Sequence, residues 1–160
     1  MVLREARGRP APGEPRLQCA ALPFREADKV EVLLVTSRGK GRWVIPKGWP
    51  MLGRSRHDAA AIEALEEAGV VGEIGHTPLG EYDSTKRTGA GQSVPCRVVV
   101  YPLRVIEQKP RWREQGQRVV RWFPWEAAAA AVREPGLARI IRRFAETQKQ
   151  AQAQPRAAAR

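Results

Sequence analysis

Three carboxylates, Glu63, Glu66 and Glu67, stand at offsets of three and four residues in the run Glu63-Ala64-Leu65-Glu66-Glu67-Ala68-Gly69-Val70. In a helix of 3.6 residues per turn those offsets place all three within an arc of about 100°. Like charges so spaced repel by roughly 0.2–0.5 kcal/mol per pair. Glu66 and Glu67 also fall in the last turn before Gly69, where the helix dipole disfavours anions. Two compensators are open. One is a hard divalent cation, best magnesium, which takes few carboxylates, keeps its waters and shares substrate phosphates. The other is the chain's own arginine, neutralising an ordinary acidic helix surface. On this reading Leu65, Ala61 and Ala68 fall on the opposite side and face the core, while Ala59 and Ala60 leave the acidic stripe sterically open.

The rest of the chain is built for anions. Lys and Arg number 28 against 17 Asp and Glu, a net charge of +11. Such a balance favours a phosphate-rich small molecule, nucleic acid or an acidic surface. Residues 1–16 and 147–160 carry +2 and +3 of it, which leaves +6 for residues 17–146. Arg42, Lys47 beside Gly48, and Lys86 and Arg87 in the Gly-rich stretch Lys86–Ser93 are the candidate phosphate contacts. Gly89-Ala90-Gly91 lacks the Gly-Lys-Ser/Thr of a P-loop. Glu114 is a candidate extra ligand or general base, with Glu81 and Asp83 behind it; each reads equally well as a solvated acid. His57 reads as a surface residue. Trp49 or Trp112 could stack on a base, although Trp112, Trp122 and Trp125 read more readily as packing.

These side chains must be held by a single domain, which 160 residues at 42% hydrophobic composition can build. The polar ends, 1–16 and 147–160, read as a flexible basic arm and a flexible tail around a domain at 17–146. Strands are expected at Leu17–Phe24, Val30–Ser37, Arg42–Pro46, Val70–Gly75, Leu79–Ser84, Val94–Ile106 (bulged at Pro102) and Arg118–Phe123. Ser55–Ala68 is the strongest helix, with Ser55 and Asp58 as a capping pattern and Gly69 as its left-handed end. Further helices are expected at Glu126–Val132 and Gly136–Glu146, the latter with Leu137, Ile140, Ile141 and Phe144 on one stripe. Strands interleaved with helices make the chain α/β or α+β. No apolar run reaches the ~20 residues of a membrane span. Cys19 and Cys96 lie in apolar stretches and the first residues do not resemble a secretory signal, so both read as buried reduced thiols of a cytoplasmic protein.

Gly48 followed by the Glu63–Val70 run resembles the Nudix box, G-x5-E-x7-R-E-U-x-E-E-x-G-U with U a bulky aliphatic residue. Gly48, Glu63, Glu66, Glu67, Gly69 and Val70 match, and Ala64 meets the aliphatic position weakly. Arg54 stands where the box has its first Glu, and Ile62 where it has Arg. The lead-in Trp43-Val44-Ile45-Pro46-Lys47-Gly48 also looks like the family's W-x-x-P-x-G. The resemblance implies an α/β/α sandwich with a mixed central sheet and a loop–helix–loop box. It further implies that Glu63, Glu66 and Glu67 bind Mg2+, with Mn2+ a substitute, and that Glu66, Glu63 or Glu114 serves in catalysis. The expected activity is metal-dependent hydrolysis of a phosphoric anhydride in a polyphosphorylated compound. The lead-in, the E-E-A-G-V-x-G ending and the late R-x-x-x-W-F look most like diphosphoinositol polyphosphate phosphohydrolases and their bacterial relatives. Candidate substrates are therefore dinucleoside polyphosphates, nucleoside diphosphate derivatives and diphosphoinositol polyphosphates. The alternatives are a catalytically silent nucleotide- or RNA-binding module, suggested by Arg54 and Ile62, and an RNA 5′-end pyrophosphohydrolase. No membrane partner is expected, and the chain is expected as a monomer or homodimer.

Overall fold

The computed structural model describes residues 13–153. In chain order its elements are β1 (Arg16–Glu26), β2 (Val30–Thr36), β3 (Trp43–Val44), β4 (Lys47–Gly48), α1 (Arg56–Ala68), β5 (Val70–Ile74), β6 (Gly80–Arg87), β7 (Ser93–Gln108), β8 (Val120–Pro124), α2 (Trp125–Ala131) and α3 (Pro135–Ala153). The strands form one mixed sheet. Its main path runs β3-β2-β1-β7-β5, with β4 paired to β1, β6 to β7 and β8 to β2. The central pair, β1 with β7, is parallel, and the other pairs are antiparallel.

Alternation along β1 splits the core between the two faces of the sheet. Ala20, Leu22 and Phe24 pack with Leu137, Ile140, Ile141 and Phe144 of α3 and Ala128 of α2. Cys19 and Ala21 pack on the other face with Ala59, Ala60, Ala64 and Ala68 of α1. Helices therefore cover both faces in an α/β/α sandwich. The expected stripe of α3 is buried as read, and the helix opens on Pro135, whose fixed φ suits a first helical position.

Several expectations change: the strand read at Arg42–Pro46 is only Trp43–Val44, Lys47–Gly48 forms a strand of its own, and Arg118 lies ahead of β8. Residues 147–153, read as tail, continue α3, and Arg16, read as arm, opens β1; residues 1–12 and 154–160 lie outside the described residues. Lys86, Arg87 and Ser93, read as loop, belong to β6 and β7, paired Arg87 with Ser93, so the turn is confined to 88–92. The bulge does not fall at Pro102. That residue pairs with Leu22 at the point where β7 changes neighbour from β6 to β5. The register shift lies between Val71 and Gly72, and a Cβ on Gly72 would run into the carbonyl of Arg104. A glycine is needed there because the partner backbone comes too close for any side chain.

Candidate functional site

Helix α1 forms as its caps dictate. Ser55 Oγ accepts from the Asp58 amide at 3.2 Å, and Gly69, at φ 71°, ends the helix with its own amide on Leu65 O. The orientation of the helix is the main correction to the sequence reading. Its buried face is Ala59, Ala60, Glu63, Ala64, Glu67 and Ala68, and Leu65 is only partly covered. Four alanines let the helix axis approach the sheet closely, and that closeness carries Glu63 and Glu67 inward as well. A hydrophobic ranking of the residues puts Leu65 inside; the volume available favours alanine.

What receives the two acids is the β4 backbone. Gly48 lies against the Glu63 carboxylate so closely that a Cβ would occupy its place. The Lys47 amide donates to Glu67 Oε2 at 3.2 Å. Glu63 and Glu67 are each about 3% exposed. Burial, then a hydrogen bond with Glu63, holds the Glu67 carboxyl well above the usual range, and Arg118 works in the opposite direction. Glu66 is separated from this pair: Arg113 Nη1 lies 3.3 Å from its Oε1. The structure thus brings two of the three expected ligands together and turns the third to a neighbouring guanidinium. Among the described residues no group of three His, Cys, Asp or Glu side chains is gathered closely enough to hold an ion.

The loop between β7 and β8 closes the C-terminal end of α1. Lys109 N donates to Gly69 O at 2.7 Å and Glu114 N to Glu66 O at 2.9 Å, so carbonyls with no helical partner gain one. Trp112 covers the Cα of Gly69 and leaves no room for a Cβ. The same loop brings in Glu114 and Arg118. Arg118 Nε donates to Glu114 Oε1 at 3.2 Å, Nη1 donates to Thr36 O at 3.1 Å, and Nη2 lies 3.5 Å from Glu67 Oε1. With 12% side-chain exposure, Arg118 is fixed by three acceptors rather than waving in solvent. Arg38 Nε reaches the same Glu114 oxygen at 3.8 Å.

Glu67 opens into a cleft of about 510 Å3. Its walls carry Arg42, Lys47, Lys86 and Arg87, all expected, together with Arg38, Lys40 and Arg118, which the sequence reading passed over. The signal for Arg38 and Lys40 was the Ser37-Arg38-Gly39-Lys40-Gly41-Arg42 run, a basic Gly-rich turn like the 86–91 one, with Gly39 and Gly41 at φ 95° and 64°. Arg42 and Arg87 push the exposed Lys40 ammonium below its usual pKa, a mark of crowded positive charge. Lys47 is different. Its Nζ donates to Gln18 Oε1 at 3.2 Å, and burial, helped by Lys86, lowers its pKa.

Other candidates stand elsewhere. Glu81 and Asp83 flank Arg97 at 3.8 and 3.7 Å, and alternation puts them on the sheet face opposite Tyr82 and Ser84. His57 stacks on His76 with ring centroids 4.0 Å apart. Trp49 carries the Arg16 guanidinium 4.4 Å from its ring centroid, with Lys86 Nζ at 5.5 Å. Trp112 is spent on Gly69, so neither tryptophan presents a bare stacking platform. Cys19 and Cys96 are buried outside any disulfide. Among the described residues no helix is long and apolar enough to cross a membrane.

Comparison with known proteins converges on one group. The family model described as NUDIX domain matches residues 14–144. Nudix hydrolase 17, mitochondrial, of Arabidopsis thaliana is 34% identical over 108 residues, covering 68% of this chain and 57% of the relative. Diphosphoinositol polyphosphate phosphohydrolase 3-beta of Bos taurus is 35% identical over 114 residues, with 69% and 65% covered. The chain thus spans little more than half the length of the Arabidopsis protein. Among solved structures, the Ap4A hydrolase of C. elegans in a binary complex superposes with a TM-score of 0.62 at 18% identity, over 84% of this chain and 98% of that one. That likeness speaks for the fold.

Proposed function

Because the chain belongs to the NUDIX domain family, we propose that it is a pyrophosphohydrolase that cuts a phosphoric anhydride in a polyphosphorylated small molecule with the help of Mg2+ or Mn2+. The observation that carries this reading is the buried Glu63–Glu67 pair seated on Gly48, with Glu67 open to a cleft walled by seven cations. Two acids crowded in one site either keep a proton between them or take up positive charge, and the Gly48 cradle fixes the carboxylate that would bind a cation. Glu63 and Glu67, with Glu66 one turn away, are oxygen donors of the kind magnesium takes. A divalent cation there would neutralise phosphate charge and make a nearby water more acidic.

The chain's own residues do the rest. Arg42, Lys86 and Arg87 grip the outer phosphates and Lys47 meets the chain at the floor. Arg118 holds Glu114 beside Glu67, close enough that its charge helps raise the Glu67 pKa. Glu114 is accordingly our acceptor for the proton of the attacking water, and Arg118 its positioning residue. Relatives that act on diphosphoinositol polyphosphates and a neighbour named as an Ap4A hydrolase support substrates rich in phosphate.

Assaying Ap4A, a nucleoside diphosphate derivative and a diphosphoinositol polyphosphate with Mg2+ and Mn2+ tests the reading. Glu63→Gln and Glu67→Gln should each cut phosphate release at least a hundredfold while the far-ultraviolet circular dichroism stays unchanged. Undiminished turnover in both would remove the assigned site. The silent binding module, which Arg54 and Ile62 favour, predicts ligand binding without turnover under any divalent ion.

A further inference from the structure

Seven cations answer for phosphate, but the cleft also holds a second acid, which a purely phosphate-binding surface does not need. Glu134 immediately precedes α3 and lines the cleft with Ser84 and Lys47. Ser84 Oγ donates to its Oε1 at 3.3 Å, while Oε2 is buried with no hydrogen-bond partner. Leaving a buried acceptor unmet costs about 1–3 kcal/mol, so a donor from outside the chain, a water or a ligand group, is favoured there.

The sheet register adds a second unmet atom on the same face of the sheet. Gln18 pairs with Val98, Val98 with Tyr82, and Ser84 with Cys96. Paired residues share a face, so Gln18, Tyr82 and Ser84 all stand on the side that α3 covers. Gln18 gives its oxygen to Lys47, and its Nε2 is a buried donor without a partner. Gly136 seats the start of α3 directly on Tyr82, which keeps Glu134 at this corner. Burial and then the charge of Glu134 raise the Tyr82 phenol well above its usual pKa.

Phosphate is the wrong guest for Glu134, because its oxygens only accept hydrogen bonds and repel a carboxylate, whereas a hydroxyl can donate to Glu134 and accept from a donor such as Gln18 Nε2. An amine can also donate. We propose that Glu134, with Ser84 and Gln18 behind it, forms a specificity subsite that binds a free hydroxyl or amine on the non-phosphate part of the substrate. The proposal rests on the reading of the cleft as a phosphate-bearing substrate's site. The terminal torsion of a glutamate is soft, so a modest rotation turns Oε2 toward the cleft. Ribose-bearing polyphosphates satisfy the subsite; inorganic polyphosphate and a fully phosphorylated cyclitol offer it nothing.

Binding to the full chain with Mg2+ tests this by calorimetry, using a methylene-bridged ATP analogue, inorganic tripolyphosphate and inositol hexakisphosphate. Glu134→Ala should weaken the ATP analogue at least fivefold and hold the two hydroxyl-free anions as tightly as the wild type or more tightly. Ser84→Ala should shift the analogue in the same direction by less. If Glu134→Ala weakens all three alike, the residue only supports the fold; if it tightens all three alike, it is only a charge. Either result overturns the subsite. Should the wild type cut no anhydride while the expected pattern holds, the pyrophosphohydrolase reading falls and the subsite stands.

Discussion

Burial and the neighbouring Glu63 keep the Glu67 carboxyl protonated to a higher pH in the folded chain than the ordinary value of 4.5 that applies once it unfolds. Between those two values the native state binds the extra proton, so stability falls as pH rises through the window and the penalty is complete above the raised pKa. Glu67→Gln removes that penalty. In chelator at pH 8 its Tm should exceed the wild type's, by ~2–4 °C for each kcal/mol relieved in a domain of this size. The gap should close toward pH 4. Melting curves that coincide at every pH would mean that Arg118 already neutralises the acid fully. The sequence offered the three glutamates and their spacing, and these were legible. Which of them turn inward was not, because that depends on how closely alanine lets α1 approach β4, a property of two segments together.

At the scale of elements, the caps of α1, the stripe of α3 and the hydrophobic runs of β1 and β2 were readable since each is written in neighbouring residues. The two-residue β4 was not, although it carries the Gly48 cradle; its pairing partner Cys19-Ala20 lies far back in the chain. Arg118 went unassigned for the same reason. Its partners Thr36 and Glu67 come from different elements, and only the assembled sheet puts them together. The 109–117 loop is a further case, since its hold on α1 rests on Trp112 covering Gly69. Gly69→Ala would oppose both a positive φ and the indole ring. It should destabilise the chain by more than about 1 kcal/mol. Because Glu114 travels with the same loop, catalytic rate should drop together with Tm. A variant that melts early yet turns over normally would uncouple the loop from the site.

For the whole molecule the charge distribution has a direct kinetic reading. Seven cations around one cleft set a positive field that attracts anions before contact, and exposed ones such as Lys40 and Arg38 are open to screening by salt. Raising ionic strength from about 50 to 300 mM should raise KM for a polyphosphorylated substrate by about tenfold and leave kcat within about twofold. An unchanged KM would mean that binding rests on the half-buried Lys47 and Arg118 rather than on the rim.

The parallel pairing of β1 with β7 bears on how the chain reaches this state. Arg16 meets Cys96 and Phe24 meets Arg104, so the middle of the sheet joins stretches about 80 residues apart. Closing so wide a loop costs entropy before any contact repays it, and topologies of this kind assemble slowly. During synthesis β1 must wait, the edge that β7 takes unmet, until Ser93–Gln108 has followed it from the ribosome about 80 residues later. A nascent chain arrested before Ser93 has every glutamate of the box in place and only one strand of the central pair on which to set them.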